Sequence, residues 1–272
     1  YEDTDLVYLD THYYGGGKKY QWVALPLAIH GVIVKKDGTV VNVNVGEDED
    51  DPVVYITDLL IHLAGKQLQK KAAEVIEGEN LDTLIGSRPL KEEKDEKKKE
   101  AVKNNVLRML GEKYGVEEED FLSAELGIVP AGKARDCGLD RSMVAAYGQD
   151  DRVGAYTALM AEMETKHPEF TTVTVFTDKE EIGSVGNTGM NSEFLKQYLE
   201  RLAQMQKTDV KDVYAHSLCL SSDVNAAFDP TFADVYEARN YCYINKGCVL
   251  TKYTGSRGKS LSNDARAETM AK

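Results

Sequence analysis

Apolar and polar positions alternate along residues 22–45, where Val32-Ile33-Val34 and Val40-Val41-Asn42-Val43-Asn44-Val45 flank Lys36-Asp37-Gly38-Thr39. β-branched runs on either side of Asp-Gly predict an antiparallel hairpin. Over residues 53–76 the period lengthens, with Leu59, Leu60, Leu63, Leu68, Ala72 and Ile76 spaced near three to four, which predicts a helix. Residues 91–100 hold five lysines and five acids and read as the exposed opening of a helix. That helix turns amphipathic at Val102, Val106, Leu107 and Leu110. Residues 124–129 predict a further strand, ended by Pro130-Ala131-Gly132.

Beyond about residue 134 helix and strand patterns alternate. Residues 153–164 and 192–205 carry helical spacing, 171–176 is a β-branched strand, and 217–220 a short apolar strand. That alternation is the α/β signature, in which sites form where parallel strands end. The first half reads instead as mixed α+β, and the change of pattern sets a domain boundary near residues 130–135.

Composition narrows the function classes. Lys and Arg number 33 against 46 Asp and Glu, a net charge of −13, whereas nucleic acid and anionic membrane both require a basic face. Neither is therefore expected as a partner. No apolar run reaches the roughly 18 residues of a membrane span. The four cysteines lack a C-x-x-C spacing, which fits a reduced, cytoplasmic setting. The five acids of residues 47–51 lack the oxygen spacing of a calcium loop and read as a solvated loop.

Three carboxylate clusters sit where predicted elements meet loops: Asp150-Asp151-Arg152, Asp178-Lys179-Glu180-Glu181-Ile182-Gly183-Ser184, and Ser221-Ser222-Asp223-Val224-Asn225. Each has an ordinary structural use. Asp150 suits a helix N-cap, Asp223 an Asx turn, and Glu180-Glu181 a polar turn. Taken together they suit metal-assisted hydrolysis, which needs several oxygens around a cation and a base for the attacking water. Residues 255–260 echo a phosphate loop, but Tyr253 stands where that motif needs glycine, and no Gly-x-Ser-x-Gly elbow is present.

In order along the chain these clusters resemble the M18 family of metalloaminopeptidases. Tyr14-Gly15-Gly16-Gly17, Pro26-Leu27-Ala28 leading into Gly31-Val32-Ile33-Val34, and Ile61-His62-Leu63 extend the likeness over nearly all 272 residues. The resemblance implies an α/β fold: a catalytic α/β domain of the zinc-exopeptidase type with an inserted mixed α+β dimerisation domain. Residues 1–12 would form an edge of the catalytic domain, 13–132 the dimerisation domain, and 133–272 the catalytic domain.

It implies two divalent metal ions, zinc first, with manganese or cobalt also accommodated. Asp150 would bridge them, Glu181 would complete one and Asp223 the other, and Glu180 would act as general base. His62, expected on a helix face, would reach into the neighbouring subunit's active site. Peptide substrates and a homo-oligomer built from dimers, up to a dodecamer, are implied as well. Lys252 is a candidate for selecting acidic side chains.

The family's N-terminal His-x-Asp motif and C-terminal ligand histidine have no counterpart here, so the expectation is a chain truncated at both ends relative to the family. Two alternatives stand beside the aminopeptidase. One is a catalytically incomplete assembly or binding protein that retains the fold. The other is a two-metal hydrolase of different substrate, such as a deacetylase or carboxypeptidase.

Overall fold

A computed structural model describes residues 1–13, 15–90, 100–251 and 268–270. The charged run at 91–99, Lys252 and the glycine-rich stretch at 255–260 lie outside the described residues. The chain divides into two compact units, residues Tyr1–Tyr147 with Thr177–Phe194, and Gly148–Phe176 with Leu195–Lys272.

The first unit is organised by an antiparallel sheet of seven strands: β1 (Glu2–Asp3), β2 (Leu6–Leu9), β3 (Pro26–Val34), β4 (Val40–Val45), β5 (Val54–Tyr55), β6 (Thr83–Gly86) and β7 (Ala124–Pro130). The predicted hairpin is β3–β4, registered from Ile29 opposite Val45 to Val34 opposite Val40. Its turn is held by the Thr39 amide, which donates to Asp37 Oδ1 at 2.9 Å. On its other edge β3 pairs along its length with β7, the strand expected at residues 124–129. The two backbones approach closely at Gly31, where a Cβ would lie 2.0 Å from the Glu125 carbonyl oxygen. Only glycine fits there. Residues 1–12 contribute β1 and β2 to this same sheet, β2 pairing with β6.

Leu27, Ile29 and Ile33 of β3, Val43 of β4, Val54 of β5, and Ile56, Ile76, Leu81 and Val116 form the core. Helix α1 (Ala101–Tyr114) closes it, as the amphipathic spacing predicts, with Val102 fully buried and Leu110 and Tyr114 partly so. Asn105, also buried on α1, donates to the Arg88 carbonyl at 3.0 Å, which satisfies its amide.

The helix expected over residues 53–76 does not form. That stretch holds β5, a 3-10 turn at Gln67–Gln69 and loops. Leu59, Leu60, Leu63 and Leu68 are exposed, so of the would-be apolar face only Ile76 reaches the core among the described residues, and a short helix without such packing is marginal in water. The acidic run at 47–51 is a surface loop, as expected. Glu47 pairs with His30 at 2.8 Å, and Asp51 accepts from the Gly46 amide at 3.2 Å. β8 (Arg135–Cys137) and β9 (Met143–Ala145) form a separate small hairpin.

The second unit is mainly helical: α2 (Gln149–Glu164), α3 (Phe194–Met205) and α4 (Val210–His216). A short antiparallel pair, β10 (Val249–Thr251) and β11 (Glu268–Met270), completes it. α3 turns Leu195, Leu199, Leu202 and Ala203 inward, the face its spacing predicts. The strands expected at 171–176 and 217–220 carry no ladder pairing among the described residues. The first is instead laid along α2, whose Glu162 accepts from the hydroxyls of Thr172 at 2.6 Å and Thr174 at 3.0 Å. Leu218 and Leu220 are almost fully exposed, without the covering layers that a parallel sheet requires. Overall the protein is mixed α/β, in agreement with the expected class.

Candidate metal centre

Within the second unit, the start of α2 brings acidic groups together. Gly148 occupies the N-cap in a left-handed conformation, so Asp150 is not the capping residue. Asp150 (φ −87, ψ 109) and Asp151 (φ −115, ψ 24) have non-helical backbone, and the peptide between them is cis. Regular helix therefore begins after the acidic pair, which leaves both carboxylates at the helix mouth.

The loop 217–227 delivers the third acid. Oxygens of Asp150, Asp151 and Asp223 all lie within 4.8 Å of one another, and all three residues are exposed. One Asp223 oxygen also accepts from the adjacent Val224 amide at 2.6 Å. Close approach of loop and helix depends on Gly154, which is buried. A Cβ at that position would meet Asp151 Oδ1 at 2.3 Å and Ser222 Oγ at 2.9 Å.

Three like charges so close repel. Partial burial raises the Asp151 carboxyl above its ordinary range, and the negative charges of Asp223 and Asp150 raise it further. A divalent cation would relieve that repulsion. An all-oxygen donor set suits magnesium, manganese, calcium or, with nitrogen ligands added, zinc. On donor chemistry and spacing, these residues fit such an ion.

Glu180 and Glu181 belong to the first unit, where they open a 3-10 turn, Glu180–Ile182, bounded by left-handed Lys179 and Gly183. The loop around it is tightly bonded. The Asp178 amide donates to the Thr188 carbonyl at 3.0 Å, and Asn191 Nδ2 to the Gly183 carbonyl at 3.0 Å. His62 does not lie on a helix face as expected but in an exposed turn, since the helix predicted around it is absent.

Of the predicted ligands, then, Asp150 and Asp223 converge and Asp151 joins them. The sequence assigns Asp151 no ligand role, since adjacency alone does not place two carboxylates together. Only the irregular backbone at the mouth of α2 turns both carboxylates to one place.

Comparison with known proteins gives these residues a family. Residues 2–272 match the family described as "Aminopeptidase I zinc metalloprotease (M18)". The chain belongs to that family. It is 58% identical over 275 residues to a probable M18 family aminopeptidase 1 of Clostridium acetobutylicum, an alignment covering 100% of this chain and 58% of that protein. The crystal structure of an M18 aminopeptidase from Thermotoga maritima superposes with a TM-score of 0.87 at 46% identity, covering 97% of this chain and 58% of the other. That of aminopeptidase I from Clostridium acetobutylicum gives 0.85 at 57% identity, covering 97% and 57%. The chain thus spans somewhat under three fifths of the length of these relatives.

Proposed function

We propose that this chain is part of a metal-dependent aminopeptidase that hydrolyses the N-terminal residue of peptides. The observation that carries the reading is the convergence of Asp150, Asp151 and Asp223 in a chain of the M18 zinc metalloprotease family. In this proposal Asp150, Asp223 and Glu181 would hold two divalent ions, Asp150 serving both, Asp223 one and Glu181 the other. Zinc is the first candidate, with manganese or cobalt as substitutes. The ions, when bound, supply Lewis acidity toward the scissile carbonyl and the attacking water.

The remaining work falls to the chain's own residues. Glu180 takes a proton from the attacking water at a carboxylate oxygen and returns it to the leaving amine. The bonded loop of residues 178–191 supports that role, because it fixes the backbone from which the exposed Glu180 side chain projects. A cation in the cluster would oppose the upward shift that desolvation and the charges of Asp223 and Asp150 impose on the Asp151 carboxyl. His62, on a segment whose apolar side chains are exposed, is proposed to act from one subunit in the site of another. A dimer-based homo-oligomer and a cytoplasmic location belong to the same proposal. Among the described residues no helix is long and apolar enough to cross a membrane.

The test is hydrolysis of aminoacyl-nitroanilides by the full-length protein. Chelator should abolish it and zinc or manganese restore it, and Glu180→Gln should lower kcat by about 10²–10⁴-fold. Chelator-insensitive cleavage, or an unimpaired Glu180→Gln variant, contradicts the mechanism.

A further inference from the structure

We propose that Lys179 is a positioning residue for the Glu180–Glu181 turn, and that Glu125 on β7 is its anchor. The inference rests on the aminopeptidase reading, in which this turn carries the general base. Lys179, the Glu180–Glu181 turn and Glu125 all lie within the first unit.

Lys179 sits in the left-handed region (φ 64, ψ 28), where Gly, Asn and Asp are at ease and Lys gains nothing. Yet the turn is built on it. The Lys179 carbonyl accepts from the amides of Ile182 at 3.3 Å and Ser184 at 2.8 Å, and its own amide donates to Asp178 Oδ1 at 2.8 Å. An asparagine would hold this backbone more readily, so the choice of lysine points to its side chain. The Nζ lies 2.8 Å from Glu125 Oε1, and the Lys179 side chain is only 25% exposed. Its stem runs past Gly186, where a Cβ would lie 3.7 Å from Lys179 Cδ.

The anchor's backbone is held in a ladder. Glu125 lies opposite Val32 in the β3–β7 ladder, the best-packed part of the sheet, with Ile33 beside it buried in the core. A fixed strand therefore holds an ammonium, which holds a left-handed residue, which aims the next residue, Glu180. Exposed pairs contribute little to stability, and Glu125 is largely exposed. The return is in orientation, where a displacement of about 1 Å is able to cost 10²-fold in rate.

The experiment compares full-length wild-type protein with Lys179→Met, Glu125→Gln, and the exchanged pair Glu125→Lys/Lys179→Glu. It reads kcat and KM on an aminoacyl-nitroanilide at about 20 mM and about 500 mM salt, which shrinks the screening length several-fold. It also reads amide exchange at Ile182 and Ser184. Each single change should lower kcat about tenfold with KM held, and should remove the salt dependence that the wild type shows. The exchanged pair should recover most of the loss. Wild-type kcat in Lys179→Met, or an exchanged pair as slow as the singles, overturns the proposal.

If the wild type hydrolyses nothing, the aminopeptidase reading fails on its own and exchange decides the matter of Lys179. Roughly tenfold faster exchange at Ser184 in Lys179→Met, with exchange in α1 unchanged, supports the positioning role, since opening of that turn is local. Unchanged exchange at Ser184 overturns it.

Discussion

The two units are built from similar fractions of apolar sequence but use it differently. In the first, β3 is flanked on both edges, Leu27 and Ile33 are sealed, and α1 closes a core that draws on β3, β4 and β5. In the second, helices carry the expected spacing, yet Tyr156, Met163, Phe170, Met205, Leu218 and Leu220 stand in solvent. The core cluster contains no residue of that unit. Where the first unit derives its order from burial, the second concentrates charge: three carboxylates gather at the mouth of α2, beside the buried Gly154. The contrast separates a packed unit, which carries the Glu180–Glu181 turn, from one whose carboxylate cluster a cation would tighten.

The widest gap should open between core and surface leucines. Leu27→Ala should cost about 2.5–4 kcal/mol, because its site is fully enclosed, whereas Leu218→Ala should stay within about 0.5 kcal/mol. Denaturant midpoints for the two variants measure the difference directly. Equal costs would show that the second unit has a core of its own.

Next in size is the response to metal. A divalent ion at about 100 times its dissociation constant should add about 2.7 kcal/mol to the wild type, and far less to Asp150→Ala. Thermal melts with and without chelator give the comparison.

Within the first unit a smaller gain is available at Thr83. Its side chain is wholly buried and its hydroxyl has no hydrogen-bond partner among the described residues. Thr83→Val keeps the shape and removes the unmet polar group, so it should stabilise by roughly 1 kcal/mol on the denaturant scale.

The smallest effect concerns pH. Asp151 has its carboxyl raised in the fold, so between that raised value and the ordinary carboxylate range near 4 the folded state binds more protons than the unfolded one. Metal-free stability should therefore rise slightly as pH falls through this window and be lowest above it. Asp151→Asn should flatten that slope and raise stability at neutral pH. A slope of the opposite sign in a metal-free titration would contradict the repulsion described for the cluster.

Much of the scaffold was legible because local signals decide it. Asp37-Gly38 between β-branched runs dictates the β3–β4 hairpin, and the spacing of Val102, Val106 and Leu110 dictates α1. Residues 53–76 misled for the converse reason. Leucines at helical spacing specify a helix only when something covers them, and Leu59, Leu60, Leu63 and Leu68 are exposed. The same holds for residues 171–176 and 217–220, whose β-branched and apolar composition calls for neighbouring strands that the described residues do not supply. At the site, motif order identified Asp150 and Asp223. The share of Asp151 and the notch at Gly154 arise from an irregular helix start, and periodicity carries no trace of such a feature.

The metal centre requires that the Asp150 and Asp223 carboxylates hold a divalent ion. Zinc titration of the full-length protein against a competing chromophoric chelator measures this without reference to activity. Asp223→Asn should bind at least one equivalent of zinc more weakly than wild type, by about tenfold or more, while its far-ultraviolet circular dichroism stays unchanged. Wild-type zinc affinity and stoichiometry in Asp223→Asn and in Asp150→Asn would contradict the claim.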